Sequence, residues 1–338
     1  MIEPDNLIVD GEQLLEDLQT LNQFGAEPGP GLNRVAFSEA DQAGRRWLET
    51  QMQSCGLSQV TDPAGTSIGT YPGTEPGLAP IALGSHTDTV PNGGRYDGAL
   101  GVLAALACVR TLHQARYRLR HPVEVINFVA EEATMGGATI GSRAMAGTLP
   151  PETIEHLAWD GLPVAAHLSA AGLDPARITQ AKRPSGAISA FLELHIEQGA
   201  RLEQAGTPIG VVEGIVGIRR YSVSFEGQAN HAGTTPMTLR QDALVMAAPF
   251  ILAVPEIAIA HNIVGTIGVF RIEPGAPNII PGNAYLEFEI RGLDEVVLDQ
   301  AEAVLARQAR EYGGQFKQLS VKPSVTSDER LVAAIITA

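Results

Sequence analysis

Two short apolar segments with an apolar helical segment between them constrain this fold more than any other feature. The segments PIALGS and VEVINFVAEE are typical of buried strands, and GALGVLAALACVRTLHQ between them is typical of a buried helix. A strand, helix, strand unit joins two parallel strands by a right-handed crossover and buries both faces of the sheet. The pattern therefore predicts an α/β domain with parallel strands between helices.

Charged side chains follow each of these two strands directly. His86 comes at the end of the first segment, and Glu131 and Glu132 end the second. Ligands of open α/β sheets bind at the carboxyl ends of the strands, so these side chains are expected to converge on one edge. Two adjacent carboxylates after a buried strand are costly without a compensating positive charge. One of them can bind a metal while the other acts as general base.

The loop after the first strand, SHTDTVPNGGRYDGALG, adds two further acids to this edge. Asp88 lies two residues after His86, a spacing at which a carboxylate can orient an imidazole that binds a metal. Asp97 precedes the apolar helix, and the glycines around it allow a tight backbone that returns its carboxylate towards His86. An ordinary helix N-cap is the alternative for Asp97, and the residues alone leave both open.

Four further segments carry candidate site residues. His195 and Gln198 lie in FLELHIEQG, which is predicted to be a third strand with His195 near its end, and His231 lies in GQANHAGTTPM. Asn278 in PNIIPG and Arg291 in EIRG add an amide and a fixed cation suited to a carboxylate. A single His on a strand is more often structural, and an Arg on a strand is usually a surface residue.

The second half of the chain has a different order of elements. Predicted strands and helices follow each other as β-α-β-β-α-β, the order of a split βαβ sandwich. We therefore expect a catalytic domain over residues 1–212 and a second domain over residues 213–325. Residues 326–338 are expected to begin a return to the catalytic domain.

Composition excludes several classes of function. A net charge of -15 argues against a nucleic-acid partner, whose phosphates require clustered Lys and Arg. The start of the chain lacks the basic head and apolar stretch of a signal peptide, and no long apolar run indicates a membrane span. Cys55 and Cys108 lie in helical patterns and are expected to be reduced. We expect a soluble cytoplasmic protein.

Other catalytic signatures are missing from the sequence. It contains no Ser nucleophile elbow, no phosphate-binding Gly-Lys-Ser/Thr loop and no Cys pairs with zinc-finger spacing. A metal-activated water is then the best available nucleophile.

The motifs together resemble a known family of dinuclear metal-dependent amidohydrolases. This family includes N-carbamoyl-L-amino acid hydrolase, beta-ureidopropionase and allantoate amidohydrolase, within the wider aminoacylase and carboxypeptidase group. The resemblance implies a zinc-exopeptidase-like α/β fold, whose mixed, mainly parallel sheet lies between helices. It also implies an inserted ferredoxin-like domain that acts as lid and dimer interface. The motifs that carry it are GSHTDTVPNGGRYDGALGVLAAL, FVAEE, GSRAMAG, ELHIEQG, VGIRRY, GQANHAGTTPM and PNIIPG with EIRG.

The resemblance implies two divalent metal ions in each subunit, which could be Zn, Mn, Co or Ni. One ion would be bound by His86, Asp97 and His195. Asp97 would bridge to a second ion bound by Glu132. His195 favours the amidohydrolase branch, because the peptidase relatives commonly have a carboxylate at that position.

The resemblance also assigns roles around the metals. Glu131 would be the general base, Asp88 would orient His86, and His231, often from the partner subunit, would stabilise the tetrahedral oxyanion. Four residues would bind the substrate's carboxylate and neighbouring groups: Gln198, Arg220, Asn278 and Arg291.

The sequence departs from the family near its end. Relatives usually continue further and carry a last His ligand for the second metal there, whereas no His follows His261. We therefore expect the first metal site to be the better formed and the second to be weak or incomplete.

Three hypotheses follow. The leading one is hydrolysis of the C–N amide bond of a linear ureido acid, such as an N-carbamoyl-L-amino acid, with allantoate as an alternative substrate. The second is an aminoacylase-like or dipeptidase-like hydrolase that acts on simple amides. The third is a truncated, metal-depleted and non-catalytic dimer.

Overall fold

A computed structural model describes residues 7–75 and 77–338 of the chain. The first residues, which carry part of the prediction about a signal peptide, lie outside this range. The backbone divides into two compact units, the first ending at Ala200 and the second beginning at Arg201. The domain limits at residues 212 and 325 remain predictions.

The first unit contains one sheet with helices around it. Two 3-10 helices, Pro151–Glu155 and Pro175–Ala181, connect some of its elements. In chain order the other elements are α1 (Gly11–Leu21), α2 (Glu39–Ser54), β1 (Ser58–Thr61), β2 (Ser67–Tyr71), β3 (Ile81–His86), α3 (Ala99–Gln114), β4 (Val123–Phe128), α4 (Ile140–Ala146), α5 (Val164–Ala170) and β5 (Ala190–Leu192).

The sheet of the first unit is mixed, as the resemblance implies. Its strand order is β1-β2-β4-β3-β5, where β3 pairs in parallel with β4 and β5 and the other pairs are antiparallel. The predicted crossover is therefore β3-α3-β4, and β4 is buried along its whole length. The carboxyl ends of β3 and β4 thus meet at one edge of the sheet, as the sequence predicts.

The third predicted strand is shorter than expected. β5 ends at Leu192, so the prediction that His195 lies within a strand is wrong. Pairing with β3 stops there, and the next residue, Glu193, accepts a hydrogen bond from the hydroxyl of Ser85 at 2.5 Å. His195 therefore lies in the loop that follows β5.

The helices of the first unit are capped and packed as their sequences predict. Asp10 accepts a hydrogen bond from the N–H of Gln13 at the start of α1, and Ser38 accepts one from the N–H of Asp41 at the start of α2. The buried apolar residues of α1, α2 and α3 form one core cluster against the sheet. Cys55 belongs to that cluster, whereas Cys108 is exposed, and both are free.

The second unit contains a four-stranded antiparallel sheet. The elements of this unit are α6 (Arg201–Ala205), β6 (Gly214–Ile215), β7 (Gly217–Glu226), α7 (Ala243–Ala260), β8 (Val264–Glu273), β9 (Asn283–Gly292), α8 (Glu295–Glu311), β10 (Gly314–Lys322), β11 (Val325–Thr326) and α9 (Glu329–Thr337). One 3-10 helix, Met237–Leu239, precedes α7. The central elements, β7 to β10, follow the predicted order β-α-β-β-α-β, and their strand order β10-β7-β9-β8 is that of a ferredoxin-like sandwich.

Helix α7 is long and apolar, although the sequence was predicted to contain no membrane span. By length and composition alone it could cross a membrane. Its buried residues, among them Phe250 and Val254, join the core that the helices of this unit form with the sheet. The helix therefore has the packing of a core helix of a globular domain.

Candidate metal centre and general base

Three side chains of the first unit converge at the carboxyl edge of its sheet. His86 is the last residue of β3, Asp97 lies just before α3, and His195 lies in the loop after β5. One potential ligand atom from each lies within 4.8 Å of the others. Two His and one carboxylate form a donor set typical of catalytic zinc, which leaves a position open for water or substrate.

Both imidazoles present the nitrogen that a metal needs. The Nδ1 atom of His86 lies 3.0 Å from the main-chain oxygen of Asp88, and that of His195 lies 2.8 Å from the main-chain oxygen of Ile196. Because a carbonyl oxygen only accepts, each ring carries its proton on Nδ1 and has a lone pair on Nε2. Both Nε2 atoms are therefore free to coordinate.

The carboxylate of Asp97 fits the same group. Its Oδ1 atom is buried without a hydrogen-bond partner and lies 3.2 Å from Nε2 of His195. Either a divalent cation bound to both atoms or a proton on Nε2 of His195 makes this contact favourable. The N-cap of α3 is Gly98, without a side-chain hydrogen bond, so the alternative of Asp97 as an ordinary N-cap is wrong.

Gly98 must be a glycine because of its backbone conformation and its closeness to His86. Its φ is +64°, a left-handed conformation that favours glycine, and a Cβ atom there would lie 2.4 Å from Nε2 of His86. The missing side chain thus keeps open the space in front of the nitrogen that would bind the metal.

Gln198 lies against the metal group. Its side-chain amide donates a hydrogen bond to Oδ2 of Asp97 at 2.8 Å. The residue has a φ of +54°, which is unusual for a non-glycine residue and places its amide at this site at a conformational cost. Gln198 therefore fixes the carboxylate whose other oxygen faces His195.

Asp88 connects His86 at the end of β3 with the two glutamates that follow β4. Its carboxylate accepts the N–H of Glu131 at 3.2 Å and that of Glu132 at 3.1 Å. The same carboxylate lies 3.7 Å from Nδ1 of His86, whose closer partner is the main-chain oxygen of Asp88. Asp88 thus orients His86 mainly through its main chain and holds the two glutamates through its side chain.

Glu131 has the properties of a general base. Burial raises its pKa to about 7, and hydrogen bonds from Ser142 oppose that rise. The main-chain N–H and the hydroxyl of Ser142 donate to its two oxygens at 2.7 and 2.8 Å. A carboxylate with a pKa near neutrality can both accept and release a proton. Ser142 is not among the site residues predicted from the sequence, although its motif GSRAMAG begins at Gly141, a short segment after the two glutamates.

Glu132 is half-buried beside the metal group but not part of it. Burial raises the pKa of its carboxyl, while His86 acts in the opposite direction and Asp97 adds to the rise. Within the described residues, only His86, Asp97 and His195 meet the distance criterion for a metal group.

The second unit brings together His231 and the segment of Asn278. The N–H of Gly233 donates to Nδ1 of His231 at 3.1 Å, so the ring carries its proton on Nε2 and can donate from that atom. The N–H of Ala232 donates to the main-chain oxygen of Asn278 at 2.9 Å. Arg240, which the sequence analysis did not identify, donates to the main-chain oxygens of Ala232 and Thr235 and holds this loop.

Arg220 and Arg291 share one carboxylate. Nε of Arg220 donates to Glu289 at 3.0 Å, and Nε of Arg291 donates to its other oxygen at 2.6 Å. Burial would raise the pKa of Glu289, but the two guanidinium groups outweigh it and hold the pKa below its usual value. The strands place both cations on the same part of the sheet and leave them with a net positive charge.

The sequence profile described as peptidase family M20/M25/M40 matches residues 82–338. The chain belongs to this family. An N-carbamoyl-L-amino acid amidohydrolase of Geobacillus stearothermophilus is 40% identical over 304 residues, which cover 89% of this chain and 74% of that protein. An allantoate amidohydrolase of Bacillus subtilis is 34% identical over 287 residues, 84% of this chain and 69% of that protein.

A solved structure supports the same relationship. A hydantoinase/carbamoylase family amidase from Burkholderia ambifaria aligns with a TM-score of 0.90 and 33% identity over 98% of this chain and 83% of that chain. The chain is thus a hydrolase of a metal-dependent family, and the relatives that it matches are amidohydrolases. The α/β fold with mixed sheet and flanking helices, predicted from the sequence, is confirmed.

Proposed function

We propose that the chain hydrolyses the C–N amide bond of a linear ureido acid, with an N-carbamoyl-L-amino acid as the leading substrate. One arrangement carries the proposal: the group of His86, Asp97 and His195 on the same sheet edge as Glu131, whose pKa is raised to about 7. The names of the amidohydrolase relatives support this substrate class. Allantoate, also a ureido acid, is the alternative substrate.

His86, Asp97 and His195 would hold one ion tightly, since these three residues form a single potential metal-binding group within the described residues. Glu132, together with Asp97, would hold a second ion more weakly. When bound there, a divalent cation polarises the scissile carbonyl and makes a water molecule more acidic. The identity of the ion, among Zn, Mn, Co and Ni, belongs to the same proposal.

Glu131 moves the proton. A carboxylate oxygen of Glu131 removes a proton from the attacking water and later delivers it to the leaving nitrogen. Ser142 holds that carboxylate through two hydrogen bonds, so its orientation persists through both transfers. The products are the amino acid and carbamate, and carbamate decomposes to carbon dioxide and ammonia.

Five further residues recognise the substrate and its oxyanion: Gln198, Arg220, His231, Asn278 and Arg291. His231 donates from Nε2 to the tetrahedral oxyanion, because Gly233 occupies its Nδ1. Arg220 and Arg291 bind the substrate carboxylate through the donors that Glu289 leaves free. Asn278 and Gln198 bind neighbouring groups of the substrate.

The predicted domain over residues 213–325 also serves as lid and homodimer interface. Strand β8 is an edge of its sheet, with a row of main-chain groups that another strand can pair. On α7, three exposed apolar residues repeat every seven positions and so share one face: Val245, Leu252 and Ile259. An edge strand beside an apolar helix face suits a second copy of the chain. A cytoplasmic location completes the proposal.

The products of metal-loaded protein distinguish this proposal from its alternatives. Protein reconstituted with Zn²⁺, Mn²⁺, Co²⁺ or Ni²⁺ is incubated with N-carbamoyl-L-amino acids, beta-ureidopropionate, allantoate and N-acetyl amino acids. Ammonia from the ureido acids supports the proposal, and their relative kcat/KM values select among them. Acetate release alone would establish an aminoacylase-like enzyme, and no turnover by loaded protein would establish a non-catalytic one.

A matched pair of variants tests the assignment of the base. Glu131→Gln keeps the shape of the side chain but cannot accept the proton, so kcat falls about 100-fold or more. The control is Glu155→Gln, which changes an exposed glutamate in a 3-10 helix. A Glu131→Gln variant with unchanged kcat would reject the assignment.

A further inference from the structure

Arg34 is a fully buried arginine that lies before the part of the chain matched by the family profile. Its Nε atom donates to the main-chain oxygen of Thr87 at 2.6 Å. Its Nη1 atom donates to the main-chain oxygens of Leu21 and Phe24 at 2.8 and 3.0 Å, at the end of α1. One guanidinium thus connects α1 to the loop between His86 and Asp88.

The main chain of Arg34 is also bonded to the loop around Asp88, through Thr89. Its N–H donates to the hydroxyl of Thr89 at 3.0 Å, and its carbonyl accepts the N–H of Thr89 at 2.9 Å. Together with the bond to Thr87, these contacts hold both residues that flank Asp88. The conformation of the loop that presents Asp88 therefore depends on a segment far away in the sequence.

The charge of Arg34 is placed beside carboxylates. Burial lowers its pKa to about 10, and the nearby carboxylates of Asp41 and Asp88 act in the opposite direction. The group therefore remains a cation at neutral pH. Its Nη2 atom is buried without a hydrogen-bond partner among the described residues. Of these two carboxylates, Asp41 also pairs with Arg45 at 3.2 Å.

Asp88 links the loop that Arg34 holds to the metal ligand His86 and to the two glutamates. Its carboxylate holds the N–H groups of Glu131 and Glu132, and its main-chain oxygen holds Nδ1 of His86. A shift of the loop would therefore move a metal ligand and the general base together. Neutralising Asp88 would weaken both of its hydrogen bonds to the glutamate backbone.

We propose that Arg34 is a positioning residue of the reactive centre: it fixes the loop of Thr87, Asp88 and Thr89. In this way it sets the orientation of His86 as metal ligand and of Glu131 as base. The role of Glu131 in that statement rests on the proposed function. The effect on His86 does not, because metal binding requires no substrate.

The test compares Arg34→Met and Arg34→Lys with the matched control Arg110→Met. Arg110 also holds α1, through a hydrogen bond of 2.7 Å to Asp17, and within the described residues it has no hydrogen bond to Thr87, Asp88 or Thr89. Each purified variant is titrated with Zn²⁺ against a chelator of known affinity. kcat and KM are measured on the best ureido substrate, and circular dichroism confirms folding at the assay temperature.

We expect Arg34→Met to bind Zn²⁺ about 10- to 100-fold more weakly, the usual effect of losing a partner that orients a ligand. kcat falls while KM stays within about threefold, since the change acts on the base and not on substrate contacts. Arg34→Lys lies between Arg34→Met and wild type, because its ammonium keeps the charge but not the three carbonyl contacts. Arg110→Met loses thermal stability but keeps metal affinity and kcat.

Wild-type metal affinity in folded Arg34→Met would overturn the inference, as would an equal loss in Arg110→Met. If Arg34→Met does not fold, unchanged affinity in Arg34→Lys overturns it instead. If wild type hydrolyses no ureido acid, the proposed function fails, and the Zn²⁺ titration still decides the role of Arg34.

Discussion

Ser142 donates both its main-chain N–H and its hydroxyl to the carboxylate of Glu131, at 2.7 and 2.8 Å. The two bonds reach different oxygens, so they fix the plane of the carboxylate as well as its position. They also favour the ionised form against the burial that raises its pKa to about 7. A base held in this way is oriented before any substrate binds.

The first prediction concerns the hydroxyl of Ser142. Ser142→Ala removes the bond to Oε2 of Glu131 and keeps the main-chain bond to Oε1, so the carboxylate can rotate. We expect kcat to fall about 10-fold, the size of one hydrogen bond to a charged group, with little change in KM. Steady-state kinetics measure both. The control is Ser169→Ala, whose hydroxyl bonds only to the preceding turn of α5; equal kcat values in the two variants would contradict the prediction.

The second prediction concerns the space in front of His86. Gly98→Ala would place a Cβ atom 2.4 Å from Nε2 of His86 and also strain a φ of +64°. We expect loss of tight metal binding, measured by metal analysis after dialysis. Gly172→Ala is the control, because its φ is +79° and a Cβ there meets nothing within 4 Å. Retention of the ion by folded Gly98→Ala would show that Nε2 of His86 is not a ligand.

The third prediction concerns the carboxylate between the two arginines. Glu289→Gln leaves the net charge of Arg220 and Arg291 more positive, so a substrate with a second carboxylate gains more than a neutral isostere. We expect the ratio of kcat/KM for N-carbamoyl-L-aspartate to that for N-carbamoyl-L-asparagine to rise about fivefold at low salt and to fall again as salt screens the charges. Glu226→Gln, at the far end of β7, provides the control. If this ratio is the same in Glu289→Gln and wild type, Arg220 and Arg291 do not bind the substrate carboxylate.

The fourth prediction concerns the apolar face of α7. Leu252 is 65% exposed there, and Leu252→Glu would place a charge in the proposed dimer interface. We expect a monomer by analytical ultracentrifugation where wild type is a dimer, with an intact fold by circular dichroism. Leu15→Glu is the matched control, because Leu15 is 57% exposed on α1. A Leu252→Glu dimer as tight as wild type would place the interface elsewhere.

The sequence predicts much of the site because local patterns decide where strands end. His86 and the pair Glu131 and Glu132 follow apolar runs that become β3 and β4, so their common edge follows from the parallel crossover. Asp97 required the structure, because a ligand and an N-cap share the same place before a helix. Its buried Oδ1 atom and the capping position of Gly98 decide between them.

Other parts of the site depend on contacts between segments distant in the sequence. His195 lies in a loop because β5 stops pairing with β3 at Leu192. The alternation of apolar and polar residues in FLELHIEQG does not show where that pairing ends. Arg34 lies in a segment with no catalytic signature, and its partner Thr87 lies 53 positions away. Ser142 lies closer, but one hydroxyl near a helix start has many ordinary uses. Side-chain partners of this kind become visible only in three dimensions.

The most direct test of the account is the release of ammonia from an N-carbamoyl-L-amino acid as a function of bound metal. Protein stripped with a chelator is titrated with Zn²⁺ or Mn²⁺, while ammonia and free amino acid are measured together. We expect no release without metal, equal amounts of the two products, and recovery of most activity with the one tightly bound ion per chain. Equal release from stripped and loaded protein, or no ammonia from fully loaded protein, would contradict it.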